Sequence, residues 1–224
     1  MPVIVAIDGP SASGKSTVSR KVAQKLNFIH VDSGALYRGV TWYFLSQHVN
    51  VPNDAAAAAA LRQIRMEFLT RDNAIKFSID GLEPDAALRS EEVSREVSRI
   101  AALPAAREWV ARKLRQMPAF GNLVMEGRDI GTAVFPEARF KFYLDAAPEE
   151  RARRRYLELK NAGAPVEYGE ILSSIMKRDR FDSSRSLAPL RTAPDAIVIQ
   201  STKMSVDEAA NAVLQHIPPG AASP

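Results

Sequence analysis

Two rhythms of apolar and polar residues alternate along the chain. Five short apolar runs, Val3–Ile7, Phe28–Val31, Leu123–Met125, Phe140–Leu144 and Ile197–Ile199, have strand character. Between them apolar positions recur with a helical period, as in Ser16–Leu26. Strands alternating with helices predict an α/β fold, a five-stranded parallel sheet with helices on both faces. Each run ends at a polar residue or turn, and open α/β sheets hold ligands beyond the carboxyl ends of their strands. Asp8 with Gly9, Asp32 with Ser33, Glu126 to Asp129, and Asp145 are therefore expected along one edge.

The alternation breaks twice. Met66–Leu69 and Ile75–Ile79 have period two and are punctuated by Asp72-Asn73 and Asp80-Gly81, which predicts a small antiparallel sheet inserted into the α/β core. The second break is an Arg-rich stretch over about 149–190, helical except near Asn161–Pro165. Ala55–Ala60 reads as helix by propensity alone, and Pro218–Pro224 as a frayed tail. At 224 residues the chain fits a single α/β domain carrying such insertions.

The most specific local signal follows the first strand. Gly9, Pro10, Ser11, Ala12, Ser13, Gly14, Lys15, Ser16 and Thr17 spell G-x-x-x-x-G-K-S-T between a strand and a helix. Glycines let the backbone curl until its N–H groups converge on phosphate oxygens, and the helix that follows points its positive end at them. Lys15 can reach the β- and γ-phosphates, and the Ser16 hydroxyl can ligate Mg²⁺. The chain is expected to bind a nucleoside triphosphate.

Composition narrows the setting. The sequence contains no cysteine, which excludes disulfides and zinc–thiolate sites and suits a reducing, cytoplasmic compartment. No apolar run approaches membrane-spanning length and the N-terminus leads straight into a strand, so neither a membrane span nor a signal peptide is expected. Thirty basic against 26 acidic residues leave a formal charge of +4. That excess is small and no aromatic stripe is interleaved with it, so nucleic acid is not an expected partner. Basic residues concentrate at Arg151–Arg155 and at 177–191. The first group suits a solvated helix face as well as an anion site; the second suits a phosphate-rich small substrate.

Three further constellations bear on chemistry. Asp32–Arg38 ends the second strand, with Ser33 placed to cap a helix that carries Arg38. Glu126–Thr132 sets an Arg128-Asp129 pair between two glycines; a turn closed by its own salt bridge is one reading, an anion ligand at a strand end the other. Lys177–Arg185 carries Arg178, Arg180 and Arg185 off any single helical stripe, as a segment closing over polyphosphate would.

Together these residues resemble the cytidylate kinase family of the long bacterial type, nucleoside monophosphate kinases of the P-loop class. The resemblance rests on Gly9–Thr17, Asp32–Arg38, Ser98 with Arg107, Gly127–Thr132, and Arg178–Arg185 followed by Ala188–Leu190, and it covers essentially the whole chain. Two positions depart mildly: the loop ends Lys15-Ser16-Thr17 where Lys-Gly is also common, and Glu126 stands where Asp is frequent. The resemblance implies transfer of the ATP γ-phosphoryl group to CMP or dCMP, with Mg²⁺ accompanying ATP. It also implies a monophosphate-binding insertion at about 38–108 and a helical Arg-rich lid at about 149–190; a monomer is expected. It assigns Lys15, Arg128, Arg178 and Arg185 to phosphoryl transfer and Arg38, Arg128 and Arg185 to the acceptor phosphate. Asp129 and Arg107, helped by Ser98, would read cytosine, and Asp182 the sugar hydroxyls; Ser33 belongs to the same acceptor site. Other readings are a P-loop kinase of the UMP or shikimate type, or a nucleotide-binding switch; the Asn-Lys-x-Asp motif of a GTPase is absent.

Overall fold

In the computed structural model, which describes residues 2–51, 53–218 and 220–221, each apolar run becomes a strand whose last residue is polar or glycine. β1 (Ile4–Asp8) leads through the glycine loop into α1 (Lys15–Leu26), and β2 (Ile29–Asp32) runs directly into α2 (Ser33–Ser46). Next come α3 (Asp54–Leu61), the hairpin β3 (Met66–Arg71) and β4 (Ala74–Ile79), α4 (Glu91–Ile100) and α5 (Pro104–Leu114). β5 (Leu123–Gly127) and β6 (Phe140–Asp145) return to the core, followed by the helical pair α6 (Pro148–Asn161) and α7 (Tyr168–Ser184), then β7 (Ile197–Gln200) and α8 (Val206–Leu214).

Five of the strands are parallel, in the order β2-β5-β1-β6-β7. Register aligns Asp8 with Gly127 and Tyr143, Asp32 with Glu126, and Asp145 with Gln200, so the polar strand ends share one edge as expected. Successive residues of a strand face opposite sides, and both sides are buried here. Val5, Ile7 and Val124 pack with α1 and α8, whereas Ala6, Val31 and Met125 pack with α2 and α5. Burial on both faces is why β1 and β5 read as apolar runs; β2 and β6 bury His30 and Lys141 within theirs, and β7, at the edge, is largely exposed.

The antiparallel pair forms as expected, but it is not a sheet apart. β4 lies beside β2 through one parallel bridge, His30 to Ala74, and the His30 amide donates to the Asn73 carbonyl at 2.8 Å. The result is one seven-stranded sheet, β3-β4-β2-β5-β1-β6-β7. Phe77 of β4 sits where a side chain on Gly39 of α2 would go, so hairpin and helix close without a gap. Ala55–Ala60 falls within α3, whose cap, Asn53, accepts from the Ala56 amide. The cap of α2 differs from expectation: Asp32, not Ser33, accepts the Ala35 amide at 3.0 Å. In the tail expected to fray, Ala221 donates to the Pro218 carbonyl and packs against the α1–α8 core, while Pro219 and residues 222–224 lie outside the described residues.

Candidate active site

The glycine loop is shaped by close approach. A Cβ on Gly9 would stand 2.2 Å from the Leu144 carbonyl oxygen, so only glycine lets β1 leave the sheet beside β6. Ala12 and Gly14 have positive φ, and Gly14 opens α1 with no side chain capping its N-terminus. Free amide donors and the helix dipole therefore point out of the loop. Lys15 is buried, its Nζ donating to the Pro10 carbonyl at 2.6 Å. Burial first, then repulsion from Arg128, pushes its ammonium down to about 7, against the pull of Glu126 and Asp8. An anion on the loop would reverse that shift.

Carboxylates line the floor. Asp8 accepts the amides of Ile130 and Gly131, each at 2.8 Å, which fixes the turn after β5 to the end of β1. Its burial raises its pKa to about 6 despite those amides. Glu126 accepts the Ser16 hydroxyl at 2.8 Å, and its backbone carbonyl takes the Ser33 hydroxyl at 2.6 Å. Ser33 thus ties α2 to β5.

Guanidiniums form a second wall. Arg38 reaches back to Asp32 at 2.7 Å, and Arg128 donates from Nε to Asp182 at 3.2 Å. Asp182 also faces Arg185 at 3.6 Å, and Arg185 donates to the Ala188 carbonyl. Arg178 is pushed down to about 10 by burial and then by Arg128. The buried Nε atoms of Arg38, Arg178 and Arg185 have no hydrogen-bond partner among the described residues, so each keeps a donor for an incoming anion. Beyond them Arg107 is paired with Asp129, both buried, and is held from behind by the Ala101 carbonyl at 3.0 Å. Burial opposes the charge on Arg107, but Asp129, Tyr37 and Asp182 more than offset it and hold its pKa above the ordinary value. The Tyr37 ring lies 5.5 Å from the Arg107 guanidinium. Ser98 sits half-buried in the last turn of α4.

Arg128 and Asp129 do not close on each other; each takes a partner from another element. On α7 the inward residues are Arg178 and Asp182, four apart on one helical face, and Arg185 follows just past the helix end, where the backbone turns extended. Arg180 and Lys177 are exposed and lie off that stripe. The Arg151–Arg155 run divides. Arg151 is buried, donates to the Ser11 carbonyl at 3.0 Å and to the Ala146 carbonyl at 2.8 Å, and pairs with Asp179 at 2.6 Å. Arg154 donates to the carbonyls of Ser13 and Ser201. Arg153 and Arg155 form short-range pairs with Glu150 and Glu158 at the surface. Arg151 and Arg154 thus support the glycine loop from outside. Their signal was the three-residue spacing just after β6, where one face of α6 must meet the loop.

The glycine loop and the guanidinium cluster stand close together at the carboxyl edge of a parallel sheet, a layout suited to moving a phosphoryl group between two phosphorylated molecules. Fold and site define a P-loop kinase. A solved structure of an uncharacterised protein from Eubacterium ventriosum ATCC 27560 is similar in fold, with TM-score 0.50 and 12% identity over 96% of this chain and 98% of that one. The family model for cytidylate kinase matches residues 5–219. A cytidylate kinase of Bacillus subtilis (strain 168) is 39% identical over 213 residues, covering 95% of each chain. One from Desulforamulus reducens is 40% identical over 216 residues, covering 96% of this chain and 97% of that one. The chain belongs to the cytidylate kinase family, and it is an ATP-dependent kinase. Among the described residues no helix is long and apolar enough to cross a membrane.

Proposed function

We propose that this kinase transfers the ATP γ-phosphoryl group to the phosphate of CMP or dCMP, giving ADP and CDP or dCDP. The observation that carries the reading is the buried Arg107–Asp129 pair standing beyond the guanidinium wall. Cytosine presents an amino donor at N4 beside acceptors at N3 and O2. A carboxylate and a guanidinium held side by side match that edge. Uracil reverses the polarity at two of these positions and would leave buried groups mispaired.

Gly9–Thr17 would hold the triphosphate, with Lys15 leaving the Pro10 carbonyl for the β- and γ-phosphates. Arg38, Arg128 and Arg185 would hold the acceptor phosphate, Arg178 would neutralise the group in transit, and Ser33 and Ser98 would border the acceptor. Asp182 presents a buried carboxylate between Arg128 and Arg185, where it could also take sugar hydroxyls. The attacking atom is a phosphate oxygen, already largely ionised at neutral pH because its second pKa is near 6. The reaction therefore needs no general base. Positioning two polyanions and stabilising the transferring charge is the whole task.

The residues also suit Mg²⁺. Ser16 gives its hydrogen to Glu126, which turns its oxygen lone pairs outward, and the surrounding donors are hard oxygens. Mg²⁺ keeps most of its waters and takes phosphate oxygens, so one hydroxyl is an adequate protein ligand. Bound there with ATP, it would neutralise charge on the β- and γ-phosphates.

The segment at about 38–108 would be the monophosphate-binding insertion. The α6–α7 pair, over about 149–190, would act as a lid that excludes water once both substrates are held. A monomeric cytoplasmic enzyme is the setting this reading implies. Incubating the protein with ATP, Mg²⁺ and CMP and following ³¹P NMR tests it. The β-phosphate resonances of CDP and ADP should grow at equal rates; ADP with inorganic phosphate instead would indicate a hydrolase.

A further inference from the structure

One buried side chain, His30, is not used by the machinery described so far, and it stands against Glu126, which is. His30 Nε2 on β2 and Glu126 Oε1 on β5 are 3.3 Å apart, and neither atom has a hydrogen-bond partner among the described residues. Register explains their meeting. His30 stands opposite Val124, two residues before Glu126, so all three share the sheet face on which Val124 packs against α1. His30 is 4% exposed and Glu126 3%, so water does not compete for either. The second oxygen of Glu126 accepts the Ser16 hydroxyl at 2.8 Å. His30, Glu126 and Ser16 therefore form a chain of contacts that ends at the first turn of α1.

A carboxylate can accept through both oxygens, and a neutral imidazole carries one N–H. An N–H on Nε2 would face the unpartnered Oε1 while Ser16 holds Oε2, and a small rotation of the imidazole would grip Glu126 from both sides. We propose that His30 is a positioning residue: it fixes Glu126 so that the Ser16 hydroxyl points its hydrogen at Oε2 and its lone pairs at the metal carried by the triphosphate. This rests on the reading of Ser16 given above. Partners one step removed from a metal ligand, as Glu126 is from Ser16, commonly tune metal affinity or activity by about 10–100-fold, and His30, one step further out, can act only through part of that range. A histidine that only filled space would affect stability and leave the metal dependence of ATP binding alone.

The test compares ATP affinity in Mg²⁺ and in EDTA, by equilibrium titration, for the wild type, His30→Leu and His30→Gln, with thermal unfolding of each. His30→Leu should lower the Mg²⁺-dependent gain in ATP affinity by about 10-fold, the low end of that range, leaving affinity in EDTA within about twofold. His30→Gln, whose amide can donate to Glu126, should recover most of the gain. In the wild type, ¹⁵N spectra of the imidazole, assigned by the signal missing from His30→Gln, should show a protonated Nε2 that shifts on adding Mg·ATP. This measurement stands even where His30→Leu does not fold. An unchanged Mg²⁺ gain in folded His30→Leu, equal losses in Mg²⁺ and EDTA, or an unprotonated Nε2 would overturn the proposal. Wild-type ATP affinity indifferent to Mg²⁺ would instead refute the reading of Ser16 itself, and the role of His30 with it.

Discussion

Replacing Asp129 by Asn isolates the proposed base-reading contact with little change of volume. Asp129 is 6% exposed and its partner Arg107 5%, and Arg107 is anchored from behind by the Ala101 carbonyl, so the pair cannot drift to a new position. The substitution removes the charge and turns one of two acceptor oxygens into a donor. A hydrogen bond to a charged group is worth about 1.5–3 kcal/mol. At about 1.4 kcal/mol per factor of ten, kcat/KM for CMP should fall roughly 10- to 150-fold. Uracil offers O4 where cytosine offers its amino group, and the new amide can donate to it, so UMP should not fall with CMP. The KM for ATP should stay within about twofold, because Lys15–Thr17 belong to the glycine loop. Initial rates measured by coupled ADP release, varying each acceptor in turn, read all three quantities. Thermal unfolding separates any loss of stability, since Arg107 keeps only a neutral partner. Equal falls for CMP and UMP, or a rise in ATP KM matching the loss with CMP, would refute the reasoning.

Three other perturbations probe the site. Arg128→Ala should lower turnover by about 10²–10³, as loss of one preorganised donor to a transition-state charge commonly does, with ATP affinity nearly intact; near-normal turnover would remove Arg128 from the phosphate clamp. Lys15, at about 7 through burial and then Arg128, is mostly neutral at pH 8, so ATP binding there should take up a proton. Calorimetry in two buffers of different ionisation enthalpy should give different binding enthalpies, and identical ones would contradict this. The same shift makes the ligand-free fold gain stability as pH rises from about 7 towards the ordinary lysine range, because the unfolded chain still holds the proton the folded one has released. Arg151→Ala leaves Asp179 without its 2.6 Å partner and frees the Ser11 carbonyl. It should cost about 3 kcal/mol in unfolding free energy and raise the KM for ATP more than that for CMP.

Much of this was legible in the sequence because two local rules act strongly here. Strands buried on both faces must be largely apolar, so β1, β2, β5 and β6 show as runs, while β7 shows by its β-branched residues at an exposed edge; their parallel order puts Asp8, Asp32, Glu126 and Asp145 on one edge. The glycine loop is visible because close approach to Leu144 tolerates no side chain at Gly9. What escaped depends on contacts between distant elements. Arg151 and Arg154 look like their surface neighbours Arg153 and Arg155 until α6 is laid against the loop. Ser33 suits a helix cap in sequence, but Asp32 reaches the Ala35 amide first and leaves Ser33 for the Glu126 carbonyl. His30 and Glu126 are 96 positions apart, and only the β2–β5 register joins them. Arg180 shares its charge with Arg178 but not its helical face, and Arg185 reaches the site only because the chain leaves α7 there in extended backbone.

The central claim is that the acceptor is chosen by its base. Steady-state rates with ATP and saturating Mg²⁺ over CMP, dCMP, UMP and AMP test it most directly. The account predicts that CMP and dCMP are phosphorylated with kcat/KM at least about 10²-fold above UMP and AMP, as expected when mispairing leaves buried polar groups unsatisfied. Comparable values for CMP and AMP would contradict it and show that the walls hold phosphate without reading cytosine.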